Sequence, residues 1–168
     1  IYREYTNSKG EIPNIPVVPG TYTFKETYAP SGYALNVAIK TFTVTADGKV
    51  TGDTVIRDDL NRVELKKTKD NGEPLPGAVF GLFDAKDTKI QEATSKADGS
   101  VLFTKIPYGS YTIRELSAPY GYHPSDKEWK VDVDGTYVNP TTLLATVENQ
   151  PAPGRIKILK QDELDKHV

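Results

Sequence analysis

The stretch Gly109-Ser-Tyr-Thr-Ile-Arg-Glu-Leu-Ser-Ala-Pro-Tyr-Gly-Tyr122 occurs in the chain a second time, as Gly20-Thr-Tyr-Thr-Phe-Lys-Glu-Thr-Tyr-Ala-Pro-Ser-Gly-Tyr33. Both copies begin with residues that alternate between apolar and polar, which is typical of a half-buried β-strand, and both end in an Ala-Pro-x-Gly-Tyr turn. The copies lie 89 residues apart, counted from Glu26 to Glu115. This spacing predicts a repeated unit of about 90 residues, which is the size of a β-sandwich domain.

Further similarities along the chain set the limits of the units. Val63-Glu-Leu-Lys-Lys67 resembles Ile156-Lys-Ile-Leu-Lys160, and Gln150-Pro-Ala-Pro-Gly154 is typical of a short, stiff linker. We therefore predict three parts, of which only the middle one is a whole unit. These are residues 1–60, a partial unit without its first strand (the first repeat), residues 62–150, a complete unit (the second repeat), and residues 155–168, the first strand of a following unit.

The local pattern predicts an all-β fold made of tandem antiparallel sandwiches. Short alternating stretches are separated by turn signals, and Asp47-Gly48 and Asp134-Gly135 suit tight hairpin turns. No segment has the period of a long amphipathic helix.

Composition and charge exclude several classes of function. The net charge of -2 gives no basic surface for nucleic acid or for an anionic membrane. No apolar run approaches the ~18 residues of a membrane-spanning helix. We expect no cofactor and no metal, because His123 and His167 are isolated and Asp132-x-Asp134-Gly lacks the remaining oxygen ligands of a calcium loop. Cysteine is absent, so a small exported domain of this kind needs a source of stability other than disulfides.

Alternation also directs three polar residues toward the core of the second repeat. In each case the polar residue comes two and four positions after apolar residues of the same predicted strand. Its side chain therefore points to the same face of the sheet as theirs. Burying a lysine and a glutamate is costly unless the charges are paired or neutralised. The three residues are Lys67 after Val63 and Leu65, Glu115 after Tyr111 and Ile113, and Asn149 after Ala145 and Val147.

A neutral amine, a carboxamide and a protonated carboxyl group in one dry core have the chemistry of amide formation. Desolvation lowers the pKa of a lysine and so favours its nucleophilic form. Attack of the amine on the carboxamide would release ammonia and leave an uncharged amide, which removes the cost of the buried charges.

The second repeat closely resembles the Cna B-type domains of Gram-positive adhesins and pilins. The resemblance rests on Val63-Glu-Leu-Lys-Lys67, Gly72-Glu-Pro-Leu-Pro-Gly-Ala-Val-Phe80, the stretch 109–122 and Val147-Glu-Asn149. It implies reverse-Ig, prealbumin-like sandwiches stapled by Lys–Asn or Lys–Asp isopeptide bonds. In this interpretation Lys67 is the nucleophile, Asn149 the acceptor and Glu115 the proton shuttle.

The resemblance implies a second, incomplete reactive set in the first repeat. Glu26 takes the position of the glutamate, and Asp58 is the preferred acceptor because it shares the face of Ile56, although Asp59 stays open as an alternative. This repeat has no lysine strand of its own in the chain. The lysine would come either from the repeat's own missing strand or from Lys160 of another copy.

The function implied by the resemblance is structural. We expect a stalk module of a cell-wall-anchored adhesin or pilin, located outside the cell and contacting neighbouring domains of the same surface protein. Its crosslinking would be a single-turnover reaction, so we do not expect an enzyme. The alternative is a ligand-binding adhesin domain that recognises a host matrix protein or glycan. No exposed apolar patch can be assigned from the sequence, which ranks that alternative lower.

Overall fold

The computed structural model describes residues 1–13, 15–134 and 143–154. These ranges form β-strands joined by turns and loops, and none of their residues lies in a helix that is long and apolar enough to cross a membrane. The all-β prediction is confirmed. The strands are β1 (Gly20–Phe24), β2 (Lys40–Val44), β3 (Val50–Gly52), β4 (Arg62–Lys69), β5 (Val79–Phe83), β6 (Lys89–Thr94), β7 (Ser100–Thr104), β8 (Gly109–Ser117), β9 (Glu128–Val133) and β10 (Leu143–Asn149).

The second repeat is a β-sandwich. One sheet has the order β10-β4-β7 and the other the order β6-β5-β8-β9. Apolar side chains from both sheets are buried together, because alternation along each strand points every second residue to the same side. The core consists of Val63, Leu65, Ala78, Phe80, Leu82, Val101, Phe103, Ile106, Tyr111, Ile113, Val131, Val133 and Val147.

The first and last strands of this sandwich are neighbours and run parallel. β10 pairs with β4 so that Val147 lies opposite Lys67 and Asn149 opposite Lys69. The remaining strand pairs of the described residues are antiparallel. The parallel pair brings the C-terminal ends of β4 and β10 together at one end of the sandwich.

The first repeat forms a smaller antiparallel sheet with the order β1-β2-β3. Tyr22 stacks on Phe42 with ring centroids 5.5 Å apart, and Phe24 meets the same ring edge-on. The predicted hairpin at Asp47-Gly48 joins β2 to β3, where Gly48 has a φ of 80° and its N–H donates to the Thr45 carbonyl. The matching turn at Asp134-Gly135 falls partly outside the described residues.

The repeated turns have the same local structure in both repeats. Tyr33 bridges to Leu60, and Tyr122 bridges to Pro151 in the same antiparallel manner. The Tyr33 N–H donates to the Pro30 carbonyl at 3.0 Å, and the Tyr122 N–H donates to the Pro119 carbonyl at 3.1 Å. Each turn therefore holds the chain two residues after Asp58 in the first repeat and two residues after Asn149 in the second.

Asn61 joins the two repeats from a fully buried position. Its N–H donates to the Gly32 carbonyl at 2.9 Å, and its side-chain amide donates to the Ile106 carbonyl at 3.0 Å. Close by, the Tyr108 hydroxyl donates to the Tyr33 carbonyl at 3.0 Å. Because hydrogen bonds are directional, these contacts connect the turn of the first repeat to the 105–108 loop of the second.

Candidate functional site

Three polar side chains meet inside the second sandwich. Lys67 is 0 % exposed, Glu115 8 % and Asn149 1 %, as their parity with apolar neighbours predicts. Lys67 and Asn149 lie on the adjacent parallel strands β4 and β10, and Glu115 lies on β8 of the other sheet. The fold therefore gathers residues that are far apart in the chain into one water-excluded cluster.

The Lys67 amine is held among oxygen atoms. Its Nζ donates to the Val147 carbonyl at 2.9 Å and lies 4.0 Å from Oε2 of Glu115. Burial lowers the pKa of Lys67, and the charges of Glu115 and Glu148 oppose that shift only in part. The site thus favours the neutral, nucleophilic amine more than water does.

Glu115 contacts the amide through one oxygen and the backbone through the other. Its Oε1 accepts a hydrogen bond from Nδ2 of Asn149 at 2.7 Å, and its Oε2 accepts one from the Ser125 N–H at 3.0 Å. The Oδ1 atom of Asn149 is buried without a hydrogen-bond partner. A buried amide oxygen of this kind is unusual in folded proteins and marks a group that is available for another interaction.

The strand that carries Lys67 is fixed by backbone contacts on both sides of the residue. The Lys67 N–H donates to the Gly99 carbonyl at 2.7 Å, and the Lys67 carbonyl accepts from the Leu75 N–H at 3.0 Å. Gly99 has a φ of 80°, and a Cβ there would clash with the Lys67 carbonyl oxygen. The glycine therefore lets the β6–β7 turn approach the lysine closely.

The first repeat contains a matching carboxylate pair. Oε2 of Glu26 accepts from the Asn36 N–H at 2.9 Å, and the Asp58 carboxyl lies close enough to raise the pKa of Glu26. Burial raises the pKa of Glu26, the Asn36 N–H opposes the shift, and the Asp58 charge adds to it. The site therefore favours the protonated form of Glu26 more than water does.

Asp58, rather than Asp59, points toward Glu26. Oδ1 of Asp58 is buried without a hydrogen-bond partner, as Oδ1 of Asn149 is. Asp59 is exposed, and its carbonyl accepts from the Ala34 N–H at 2.8 Å. The geometry therefore favours Asp58 as the residue equivalent to Asn149.

The remaining predicted positions fall into those that the structure describes and those that it does not. Lys160, His167 and the predicted strand 155–168 lie outside the described residues. Within the part of the chain that the structure describes, no group of three or more His, Cys, Asp or Glu side chains is placed to hold a metal ion.

Sequence reasoning missed two backbone groups, the N–H donors of Ser125 and Asn36 that contact the two glutamates. The repeat spacing relates these positions, but no side-chain pattern identifies a backbone donor.

Comparison with known proteins gives relatives on bacterial surfaces. Over 58 residues the chain is 34% identical to the trypsin-resistant surface T6 protein of Streptococcus pyogenes, a match that covers 34% of this chain and 11% of that protein. The Bacillus anthracis TIE protein aligns with a TM-score of 0.47 and 27% identity, over 87% of this chain and 28% of that one. BcpA, the major pilin subunit of Bacillus cereus, aligns with a TM-score of 0.47 and 20% identity, over 74% of this chain and 41% of that one. The chain spans less than half the length of each relative.

The family comparison covers most of the chain. The family model described as SpaA prealbumin-like fold domain matches residues 2–58 and residues 61–146. The two matched stretches correspond to the two repeats, and the prealbumin-like sandwich expected from the resemblance is confirmed. The chain belongs to the SpaA family of prealbumin-like fold domains.

Proposed function

We propose that the chain is a structural stalk module of a Gram-positive cell-surface protein whose second repeat crosslinks itself through an amide between Lys67 and Asn149. The observation that carries the proposal is the buried cluster in which Glu115 contacts Asn149 at 2.7 Å and Lys67 at 4.0 Å. Membership in a family of prealbumin-like domains and the streptococcal surface relative support the structural role. The module would lie outside the cell, next to further domains of the same surface protein.

The reaction needs only the three side chains. The neutral Lys67 amine attacks Cγ of Asn149, and a proton from Glu115 neutralises the developing charge on Oδ1. A half-turn of the Asn149 amide about χ2 exchanges its two ends, so that Oδ1 faces the glutamate. The Nζ–Cγ bond forms, the Cγ–Nδ2 bond breaks, and the proton lost by the amine passes through Glu115 to the departing ammonia. Each molecule reacts once, so the process is not enzymatic turnover.

Glu26 and Asp58 would carry out the corresponding reaction in the first repeat. Asp58 has a carboxyl in place of the amide, so an amine that attacked it would displace water. Burial and the nearby Asp58 charge raise the pKa of Glu26, so Glu26 would be the group that supplies the proton for this reaction. The amine would belong to a lysine strand placed as β4 is in the second repeat, either the repeat's own first strand or the Lys160 strand of another copy.

The position of the crosslink suits a protein that bears tension. Lys67 lies on the first strand of the second repeat and Asn149 ends the last one, next to the segments through which force enters and leaves. Force would pass along β4 to Lys67 and cross the amide, and residues 68–148 would carry no load. On the loop-entropy estimate used for disulfides, the crosslink also stabilises the fold by about 4–5 kcal/mol.

Intact-mass measurement of the purified chain tests the proposal. Formation of the amide lowers the mass by about 17 Da, because one ammonia is lost for each bond. We expect this loss in the wild-type chain and not in Glu115→Ala or Asn149→Ala. Glu26→Ala is the matched control, since it removes the equivalent glutamate of the first repeat and leaves the Lys67 cluster intact. A wild-type mass equal to that of the unmodified linear chain would refute the crosslink.

A further inference from the structure

We infer that the backbone N–H of Ser125 is a positioning group for the crosslinking reaction and that the N–H of Asn36 has the same role in the first repeat. Each would hold its glutamate so that one carboxyl oxygen faces the amine and the other faces the acceptor. This inference rests on the proposed function and adds to it a chain segment outside the three reactive side chains. The segments are residues 123–127 and 34–38, which we call the crossing segments.

The two repeats make the same contact independently. The Ser125 N–H donates to Oε2 of Glu115 at 3.0 Å, and the Asn36 N–H donates to Oε2 of Glu26 at 2.9 Å. In both repeats the donor lies ten residues after the glutamate. The side chains at these two positions differ, so the shared feature is the backbone donor.

A side-chain turn at the same residue supports the direction of each N–H. Oγ of Ser125 accepts from the Lys127 N–H at 3.3 Å, and Oδ1 of Asn36 accepts from the Ala38 N–H at 3.0 Å. Serine and asparagine are residues that make such turns by bonding to the backbone two positions later. The turn leaves the N–H of its first residue free to point toward the glutamate.

Each crossing segment is also attached to the strand end beyond the acceptor. The His123 N–H donates to the Gln150 carbonyl at 3.0 Å, and the Ala34 N–H donates to the Asp59 carbonyl at 2.8 Å. A surface pocket lies against each segment, bounded on its other side by residues 148–150 in the second repeat and by Arg57 and Asp59 in the first. Solvent therefore reaches the outer side of the segment, whereas the Glu115 side chain on the inner side is fully buried.

The contact fixes which oxygen of Glu115 meets which reactant. Oε2 receives the Ser125 N–H and is the oxygen that lies 4.0 Å from Nζ of Lys67, while Oε1 is hydrogen-bonded to Asn149. A carboxyl group rotates readily about its last bond, because that torsion is broad. Because the Ser125 N–H holds Oε2 near the lysine, Oε2 is placed to take a proton from the Lys67 amine. Oε1 is then placed to give a proton to the Asn149 side chain.

Three substitutions of Ser125 in the full chain separate the N–H from the side chain. Ser125→Pro removes the N–H, Ser125→Ala keeps it without the turn, and Ser125→Asn keeps both by copying the residue found in the first repeat. The chain is made in a short pulse of cell-free synthesis, samples are stopped with acid, and the crosslinked fraction is followed by intact mass. We expect the proline variant to crosslink about 10- to 100-fold more slowly, as the loss of a buried hydrogen bond that positions the glutamate implies. We expect the asparagine variant to crosslink at a rate within about twofold of wild type. The alanine variant should crosslink at a rate between those of the asparagine and proline variants.

The possible results distinguish this inference from the proposed function. If the wild-type chain never loses ammonia, the proposed function itself fails. If the wild type crosslinks and Ser125→Pro keeps pace with it, only the role of the N–H is refuted. Near-ultraviolet circular dichroism shows whether the proline variant is folded. If it is not, the α-hydroxy analogue of alanine is placed at residue 125, where it replaces only the N–H by an oxygen atom. Its rate is compared with that of Ser125→Ala, and equal rates would contradict a positioned N–H.

Discussion

At the scale of single residues, the burial of Lys67 has a measurable pH dependence. Burial lowers its pKa in the folded chain below the ordinary value of 10.5, so the unfolded chain binds the proton more tightly. The cost of burying the amine is therefore full below the lowered pKa of the folded chain, and it disappears once the unfolded lysine also loses its proton. In Asn149→Ala, which cannot crosslink, the free energy of unfolding should rise as the pH approaches 10.5 from below. Urea denaturation across a pH series measures this rise in the free energy of unfolding.

The matched control for this prediction removes only the titrating group. Lys67→Met in the same Asn149→Ala background keeps an unbranched side chain of similar length and has no charge to neutralise. Residues far from the cluster contribute equally in both proteins, so the difference between the two unfolding free energies isolates the lysine and the charges that contact it. The unfolding free energy of Asn149→Ala minus that of the Lys67→Met variant should rise with pH. If this difference stays constant or falls as the pH is raised, the lowered pKa of Lys67 is contradicted.

At the scale of single elements, the turn at Gly99 determines how closely β7 can approach β4. Gly99→Ala adds a Cβ that clashes with the Lys67 carbonyl oxygen, and the positive φ adds strain of its own. Gly10 has nearly the same φ, 78°, in the corresponding turn of the first repeat, and nothing lies within 4 Å of its Cβ position. We expect Gly10→Ala to cost about 1 kcal/mol and Gly99→Ala about 3 kcal/mol or more. Thermal unfolding of both variants in the Glu115→Ala background measures the difference, and equal losses would contradict the clash.

Alternation in the sequence was enough to predict the inward face of each strand, but not which strands are neighbours. It identified Lys67, Glu115 and Asn149 because each shares a face with apolar residues that the structure buries. The parallel pairing of β4 and β10 could not be predicted. Alternation places the same residues on the inward face whether two strands run parallel or antiparallel. The sequence places Asn61 at the boundary between the two repeats and does not predict its burial. That burial arises from contacts with residues far away in the chain.

At the scale of the whole molecule, the proposed crosslink changes how the chain extends under force. Tension enters the second repeat at Arg62, follows β4 to Lys67 and leaves through Asn149, so the amide would isolate residues 68–148. Without the amide, force shears β4 from its parallel neighbour β10, and the rest of the sandwich can then unravel.

Pulling the full chain by its two ends with a single-molecule force instrument tests this load path. Glu115→Ala should show an added extension of about 280 Å when residues 68–148 unravel, since an extended chain gains about 3.5 Å per residue. The wild-type chain should lack that step. Glu26→Ala, the same substitution in the first repeat, should also lack it, because the Lys67 cluster is intact. If the wild type shows the full step in every trace, its second repeat is not closed by a covalent bond, and its resistance to force depends only on the hydrogen bonds between β4 and β10.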